Sequence, residues 1–355
     1  MSGYQILENT THKILRSPSI NYDFNKETGF MATWGTTVEE NPDLSPIGPF
    51  IADIEISSVC NGINNKPCKF CYKSNTGVGE NMSLETFKTI FHKLGRQLTQ
   101  IAFGIGDLDG NPDFWSIMDY CRTNGTNYVI PNVTTNGWGL TDEYADRLVS
   151  LCGAVAVSRY NPKDVCYDAV KKLTDRGMNQ VNIHMLVSLE TYDACFEVMK
   201  DSLSDPRLEK LNAIVFLSLK PKGNRNNYQK VGTASYKNII DYAFENNVRV
   251  GFDSCSAPMF LEAVKDRENY KSLEILSEPC EATLFSVYLN SDGVMFPCSF
   301  LEEAEGLNVA ECDDFKKDIW FAHKTAKFRD SLIATEKTCT INGVGCRKCP
   351  VFDIY

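Results

Sequence analysis

Residues 57–75 read SSVCNGINNKPCKFCYKSN. Three cysteines, Cys60, Cys68 and Cys71, fall within twelve positions of a loop rich in Asn, Lys and Ser. A loop this polar has no apolar face on which to bury three thiols, so the group calls for a ligand. Seven residues separate Cys60 from Cys68, and two separate Cys68 from Cys71. Three thiolates from one loop can hold three irons of a 4Fe–4S cluster and leave the fourth iron open. A structural zinc site closes with four ligands, and no fourth Cys or His stands nearby in the sequence.

Around this loop strand and helix patterns alternate. FIADIEIS (50–57) reads as a strand leading into the loop, and SLETFKTIFHKLGRQL (83–98) as an amphipathic helix with Ser83 at its N-cap. Strands QIAFG (100–104), YVIPNVT (128–134), AVAVS (154–158), QVNIHMLVS (180–188) and NAIVFLSL (212–219) follow. Each is succeeded by a helical stretch, the last being SYKNIIDYAFENN (235–247). Strict alternation implies a parallel sheet with right-handed crossovers. Six units are too few for a closed eight-unit barrel, which leaves a partial barrel or an open doubly wound sheet. In either, the chemistry sits in the loops after the strand C-termini, and the cysteine loop is the first of these.

Residues 1–49 form an extension. ILRSPSINYDFN (14–25) and GFMATWGTT (29–37) read as the strands of a hairpin about NKETG, with VEENPDLSPIGP (38–49) as a connector. The rhythm ends at residue 247, and residues 248–355 hold seven cysteines among short segments. There SVYLNSDGVMFPC (286–298) reads as a hairpin turned at NSDG.

At 43% hydrophobic and 23% charged, the chain is globular with ample core material. A net charge of −10 argues against nucleic acid as a partner, and LKPKGNRNNYQK (219–230) reads as a solvated basic loop. No apolar run approaches the ~20 residues of a membrane span, and MSGYQI opens no secretory or acylation signal. A cytoplasmic location follows, where thiols stay reduced. Of the fourteen cysteines, Cys121, Cys152, Cys166 and Cys195 then read as small buried hydrophobes in helices. His184 reads as a hydrogen-bonded histidine of a barrel strand.

Over roughly residues 50–220 the chain resembles the radical S-adenosylmethionine (SAM) enzymes. The resemblance implies an α/β fold: a partial (β/α)6 TIM-like barrel carrying the N-terminal β-hairpin extension and a small C-terminal iron–sulfur domain. It implies that Cys60, Cys68 and Cys71 hold a 4Fe–4S cluster whose open iron binds the amino and carboxylate groups of SAM. An electron from that cluster then cleaves SAM to methionine and a 5′-deoxyadenosyl radical. Phe70 matches the aromatic position beside the adenine. GIGD (104–107) is similar to the family's Gly-Gly-Glu element, with Gly104 and Gly106 admitting the methionine end of SAM and Asp107 accepting from its ammonium. Thr135 and Asn136 stand in VTTNG (133–137), similar to the family's Thr-Asn-Gly turn. Ser158 and Arg159 end the fourth strand, where ribose or carboxylate contacts are expected. The first gap of the cysteine loop is longer than the family's common one.

Twelve residues separate Cys280 from Gly293, and four separate Gly293 from Cys298. This resembles the opening of the SPASM and Twitch extensions of radical SAM enzymes, which bind auxiliary clusters. CRKCP adds Cys346 and Cys349, so Cys280, Cys298, Cys346 and Cys349 suffice for one fully ligated 4Fe–4S cluster of the Twitch type. Taken alone, a hairpin plus Cys-x-x-Cys is zinc-ribbon-like and favours zinc; behind a barrel of the radical SAM kind it points to an auxiliary cluster. Cys255, Cys312 and Cys339 stay unassigned; Cys255 or Cys339 could replace one of the four.

The expected cofactors are therefore SAM and two 4Fe–4S clusters, reduced by a flavodoxin- or ferredoxin-type one-electron donor. The family resemblance implies modification of a ribosomally made peptide: a crosslink, an epimerisation or a backbone excision. The N-terminal extension offers an edge strand for a leader peptide, and a separate leader-recognition protein is the other arrangement. Small-molecule oxidation of the Twitch dehydrogenase kind and nucleotide modification are the alternatives. A cluster-bearing sensor or zinc-stabilised binding module would bind metal without forming 5′-deoxyadenosine.

Overall fold

The computed structural model describes residues 3–37, 42–125, 127–338, 347 and 349–352. Six parallel strands, β5 (Ile51–Glu55), β6 (Gln100–Gly104), β7 (Ile130–Thr135), β8 (Ala154–Ser158), β9 (Val181–Val187) and β10 (Ala213–Ser218), lie side by side in chain order. Helices α1 (Leu84–Leu94), α2 (Phe114–Thr123), α3 (Asp142–Leu151), α4 (Lys163–Thr174), α5 (Tyr192–Ser204) and α6 (Thr233–Glu245) connect and follow them. Ser83 caps α1 by accepting from Thr86 N at 3.1 Å, and Phe87, Ile90, Phe91 and Leu94 turn its one apolar stripe inward. Along β9, Val181, Ile183, Met185 and Val187 are buried against helices, so the alternation sends Asn182, His184 and Leu186 to the lumen. By the same alternation the lumen receives Asp53, Ala102, Gly104, Asn132 and Ala156. Small residues there keep it open.

The parallel sheet runs past the six expected strands. Strand β11 (Val250–Phe252) pairs parallel with β10, and the short helix α7 (Ala257–Val264) follows it. Three residues are too short a run for a period-two signal, so the sequence pattern passed over this strand. At the other edge, β12 (Ser286–Leu289) pairs parallel with β5, and β13 (Val294–Phe296) returns antiparallel to it. The expected hairpin is therefore sewn directly onto the first barrel strand. The two-residue β14 (Leu307–Asn308) ends this edge, and the helices α8 (Tyr270–Ile275) and α9 (His323–Thr338) pack outside.

The N-terminal hairpin is present as β3 (Asn21–Asn25) and β4 (Met31–Trp34), but it belongs to a four-stranded antiparallel meander with β1 (Gln5–Glu8) and β2 (His12–Arg16). The run expected as one strand breaks at Ser17, whose Oγ accepts from Ile20 N at 3.0 Å across Pro18. The meander covers the barrel floor. Leu15, Ile20, Tyr22 and Phe24 pack with Phe50 and Ile130, at the entrances of β5 and β7. Lys13 reaches Leu98 O at 2.7 Å, and Tyr22 Oη meets Thr99 Oγ1 at 3.2 Å. This places the extension at the end opposite the cysteine loop. Among the described residues, no helix is long and apolar enough to cross a membrane.

Candidate active site

The cysteine loop runs from the C-terminal end of β5 and is held from three sides. Asp107 Oδ2 accepts from Asn61 N at 2.7 Å and from Asn61 Nδ2 at 2.8 Å, which fixes the chain beside Cys60. Cys60 N donates to Thr76 O at 2.7 Å, and Cys71 N to Cys68 O at 3.3 Å. Gly106 abuts Cys60 so closely that a Cβ would collide with its side chain and with Val59 O. Thus Gly106 and Asp107 pack the loop itself, and Asp107 spends one carboxylate oxygen on it. Gly104 lies against Glu55, where a Cβ would come 3.3 Å from the Glu55 Cα.

The basic stretch 219–230, expected to be a solvated loop, closes over the cysteines instead. Gly223, at φ +102°, abuts the Cys71 carbonyl; Asn224 N donates to Ser74 Oγ at 2.7 Å; Arg225 donates to Ser74 O at 3.2 Å and Asn75 O at 2.8 Å. Sequence reasoning saw the charges and not the contact, because the two loops are far apart along the chain.

Burial pushes the Cys60 thiol up to about 12, with the Asp107 carboxylate, Cys68 and Cys71 adding to it. Burial likewise pushes Cys68 up to about 11, Cys71 adding and the Arg225 guanidinium opposing. Three thiols in mutual electrostatic reach ionise together only beside strong positive charge, which iron supplies. Among the described residues, no three His, Cys, Asp or Glu side chains converge as ligands of a single ion. A cubane takes its thiolates from more widely separated corners.

Beside Cys68 a cavity of about 580 Å³ opens at the barrel mouth. Phe70, Tyr160 and Tyr228 wall it, with ring centroids 4.9 Å from Phe70 to Tyr160 and 5.2 Å from Phe70 to Tyr228. Arg159 reaches in from the end of β8. It is 6% exposed, pairs with Glu197 at 2.5 Å and donates to Asn161 Oδ1 at 2.9 Å, yet its buried Nε has no partner. An orphaned buried N–H on this wall is a place for an anionic or carbonyl oxygen. The Ser158 hydroxyl lies beside the Tyr160 phenol, one of the aromatic walls. Thr135 and Asn136 are buried in the turn after β7, where Thr135 Oγ1 accepts from Gly137 N at 3.1 Å and Asn136 Oδ1 from Trp138 N at 2.8 Å. They shape that turn and do not line the cavity. Tyr160 and Tyr228 were missed in the sequence because isolated tyrosines carry no spacing signal.

Cys280, Cys298 and Cys349 gather at the other thiol site; Cys346 and Cys339 lie outside the described residues. Each of the three sits in a turn that aims an N–H at its sulfur: Ala282 N at Cys280, Phe300 N at Cys298, and Phe352 N at Cys349, the last at 3.4 Å. Gly62 N does the same for Cys60. N–H donors of this kind stabilise thiolates and tune iron–sulfur clusters. By contrast, Cys121, Cys166, Cys195 and Cys312 donate S–H to backbone carbonyls at 3.3–3.7 Å, as protonated thiols do. Cys312 is thereby set apart from the ligand group.

Between the two thiol sites lies a buried polar knot. Lys73 Nζ pairs with Glu55 at 2.8 Å, bonds Tyr288 Oη at 2.6 Å and pairs with Glu302. Burial, then Glu55 and Glu302, hold the Tyr288 phenol far above its usual range, so it remains a neutral donor. In the lumen, the His184 carbonyl accepts from Arg159 N at 2.9 Å, but its imidazole has no hydrogen-bond partner among the described residues, contrary to expectation, and burial pushes it down to about 4.

A parallel half-barrel with a three-thiol loop after its first strand, and a thiol-bearing hairpin sewn to that strand, is a fold shared with solved structures that hold S-adenosylmethionine. Streptococcus suis SuiB bound to S-adenosylmethionine superposes with a TM-score of 0.64 over 92% of this chain and 90% of its own, at 13% identity. SuiB bound to its precursor peptide SuiA gives 0.62 over 79% of this chain and 66% of its own, also at 13% identity. The anSMEcpe protein with bound AdoMet gives 0.60 over 85% and 87%, at 19% identity. No family model and no curated protein matches the chain.

Proposed function

We propose that this chain is a radical SAM enzyme, and that Cys60, Cys68 and Cys71 hold the 4Fe–4S cluster that reduces SAM. The observation that carries the reading is the placement of those three thiols, from one buttressed loop, beside an aromatic cavity with an orphaned arginine N–H. When bound, the cluster and SAM supply an adenosyl radical that takes a hydrogen atom from an unreactive carbon. The chain's part is positioning and exclusion of water. Phe70, Tyr160 and Tyr228 offer stacking surfaces for the adenine. The Arg159 Nε–H suits the carboxylate or ribose of SAM. Gly104, open to the lumen, leaves room for the methionine end. The 219–230 loop clamps the cysteine loop at Cys71, Ser74 and Asn75.

The substrate we infer is a ribosomally made peptide. The support is that SuiB is bound to the precursor peptide SuiA in one neighbour and anSMEcpe to the Cp18Cys peptide in another, the latter with a TM-score of 0.59. Peptide recognition through the N-terminal meander would act at the barrel floor, away from the mouth, which favours recognition by a separate protein or by the mouth itself. Cys280, Cys298, Cys346 and Cys349 are read as ligands of an auxiliary cluster.

The test is anaerobic reconstitution with iron and sulfide, reduction, and addition of SAM. Formation of 5′-deoxyadenosine supports the reading. A fully loaded, reduced protein that binds SAM and forms none contradicts it.

A further inference from the structure

The turn after β11 carries a cysteine that sequence spacing left unassigned. Cys255 sits in the short turn Ser254–Ser256, at the open edge of the barrel opposite the hairpin. The turn is held firmly: Asp253 pairs with the buried Lys220 and accepts from Ser256 Oγ. Lys220 also lies over the Phe300 ring, 5.5 Å from its centroid, and Lys222 Nζ donates to Phe300 O at 2.8 Å. Phe300 follows Cys298 by two residues and meets Phe352 edge-on at 5.8 Å. Phe352 N in turn donates to Cys349 Sγ, and Arg347 donates to Cys280 O at 3.3 Å. A continuous set of contacts therefore brings the turn after β11 to the hairpin cysteines.

The thiols also sense one another. Cys255 is within electrostatic reach of Cys280 and Cys349, Cys298 of Cys255 and Cys349, and Cys280 of Cys298 and Cys349. Four thiols in one neighbourhood match the ligand count of a closed 4Fe–4S cluster. We propose that Cys255 is a ligand of the auxiliary iron–sulfur cluster, together with Cys280, Cys298 and Cys349. The cluster then ties the barrel's last strand, β11, to the hairpin on its first strand, β5. Each thiol releases its proton to solvent as its sulfur bonds iron. This rests on the auxiliary-cluster reading above and puts Cys255 in the place of Cys346 as its fourth ligand.

The test uses the full chain with Cys60, Cys68 and Cys71 all changed to Ala, so that only the second site can load. After anaerobic reconstitution this protein is expected to hold about four irons and as many sulfides per chain. Adding Cys255→Ala is expected to cut the iron content at least twofold and to remove or reshape the EPR signal of the reduced cluster. Cys121→Ala, at a helical thiol, leaves both unchanged. Cys255→Ser, which offers an oxygen ligand, keeps the iron and shifts the signal; it also serves if the alanine variant does not fold. Full iron with an unaltered signal in the Cys255 variants overturns the proposal. A parent protein that binds no iron at all overturns the auxiliary-cluster reading itself.

Discussion

The rings of Tyr72 and Phe300 pack 4.6 Å apart at an interplanar angle of 53°. Tyr72 follows Cys71 directly, and its hydroxyl lies beside Ser299, which follows Cys298. Residues within two positions of a thiol of each site are therefore in contact, and the loop that carries the first three cysteines docks on the loop that carries Cys298. Replacing Tyr72 by Ala removes the ring from a packed junction and is expected to cost about 3 kcal/mol. Thermal denaturation of the iron-free protein measures this, and Tyr72→Phe, which keeps the packing, is expected to lose about 1 kcal/mol or less.

Glu55 and Lys73 form an ion pair with both side chains only 10% exposed, shared with Tyr288 and Glu302. Taking one charge out of a buried set leaves its partner poorly compensated. Glu55→Gln is expected to destabilise the protein by about 3 kcal/mol, while Lys88→Ala, at a surface pair, shifts it by less than about 0.5 kcal/mol. Chemical denaturation of the three proteins checks the order.

Gly223 stands at φ +102° with its Cα against the Cys71 carbonyl. Any side chain there must push the clamping loop off the cysteines. Gly223→Ala is expected to fold, and to lose at least half of the iron held by Cys60, Cys68 and Cys71 after reconstitution. Gly125→Ala, at a helix end with open space around it, leaves iron content unchanged.

Asp53 faces the open lumen, where solvent still reaches its side chain, and the desolvation imposed by the surrounding barrel pushes its carboxyl up to about 6 from 3.8. Between those values the folded chain holds a proton that the unfolded chain has released, so this group makes stability fall as pH rises through the window. Asp53→Asn removes that fall. The two proteins are expected to melt together near pH 4, and the variant to melt slightly higher at pH 7, solvent in the lumen damping the difference. His184, held low by burial, opposes this trend in the same window but contributes equally to both proteins. A melting difference independent of pH would contradict the upward shift of the Asp53 carboxyl.

The barrel was legible because its elements are long enough to show their periods. Phe87, Ile90, Phe91 and Leu94 mark a helix stripe, and Val181, Ile183, Met185 and Val187 mark a strand, each within one short window. What escaped was short or distant. β11 spans three residues, and the Ser17 turn that splits the N-terminal run depends on one hydroxyl. The clamp by Gly223 and Arg225, the aromatic walls Tyr160 and Tyr228, and the approach of Cys255 to Cys280 are contacts between separate loops. Spacing in the sequence records none of them. Cysteine spacing pointed to two groups of thiols, but only the fold brings Cys255 toward the second and sets Cys312 aside.

The central claim is that an iron held by the 60–71 loop is free to chelate the amino acid end of SAM. Reduced, reconstituted protein mixed with SAM labelled in its amino nitrogen is read by electron–nuclear double resonance. A hyperfine coupling between that nitrogen and the cluster is predicted in the wild type, retained in Cys280→Ala and absent in Cys71→Ala. A wild-type protein with a reduced cluster and bound SAM but no such coupling would contradict the account.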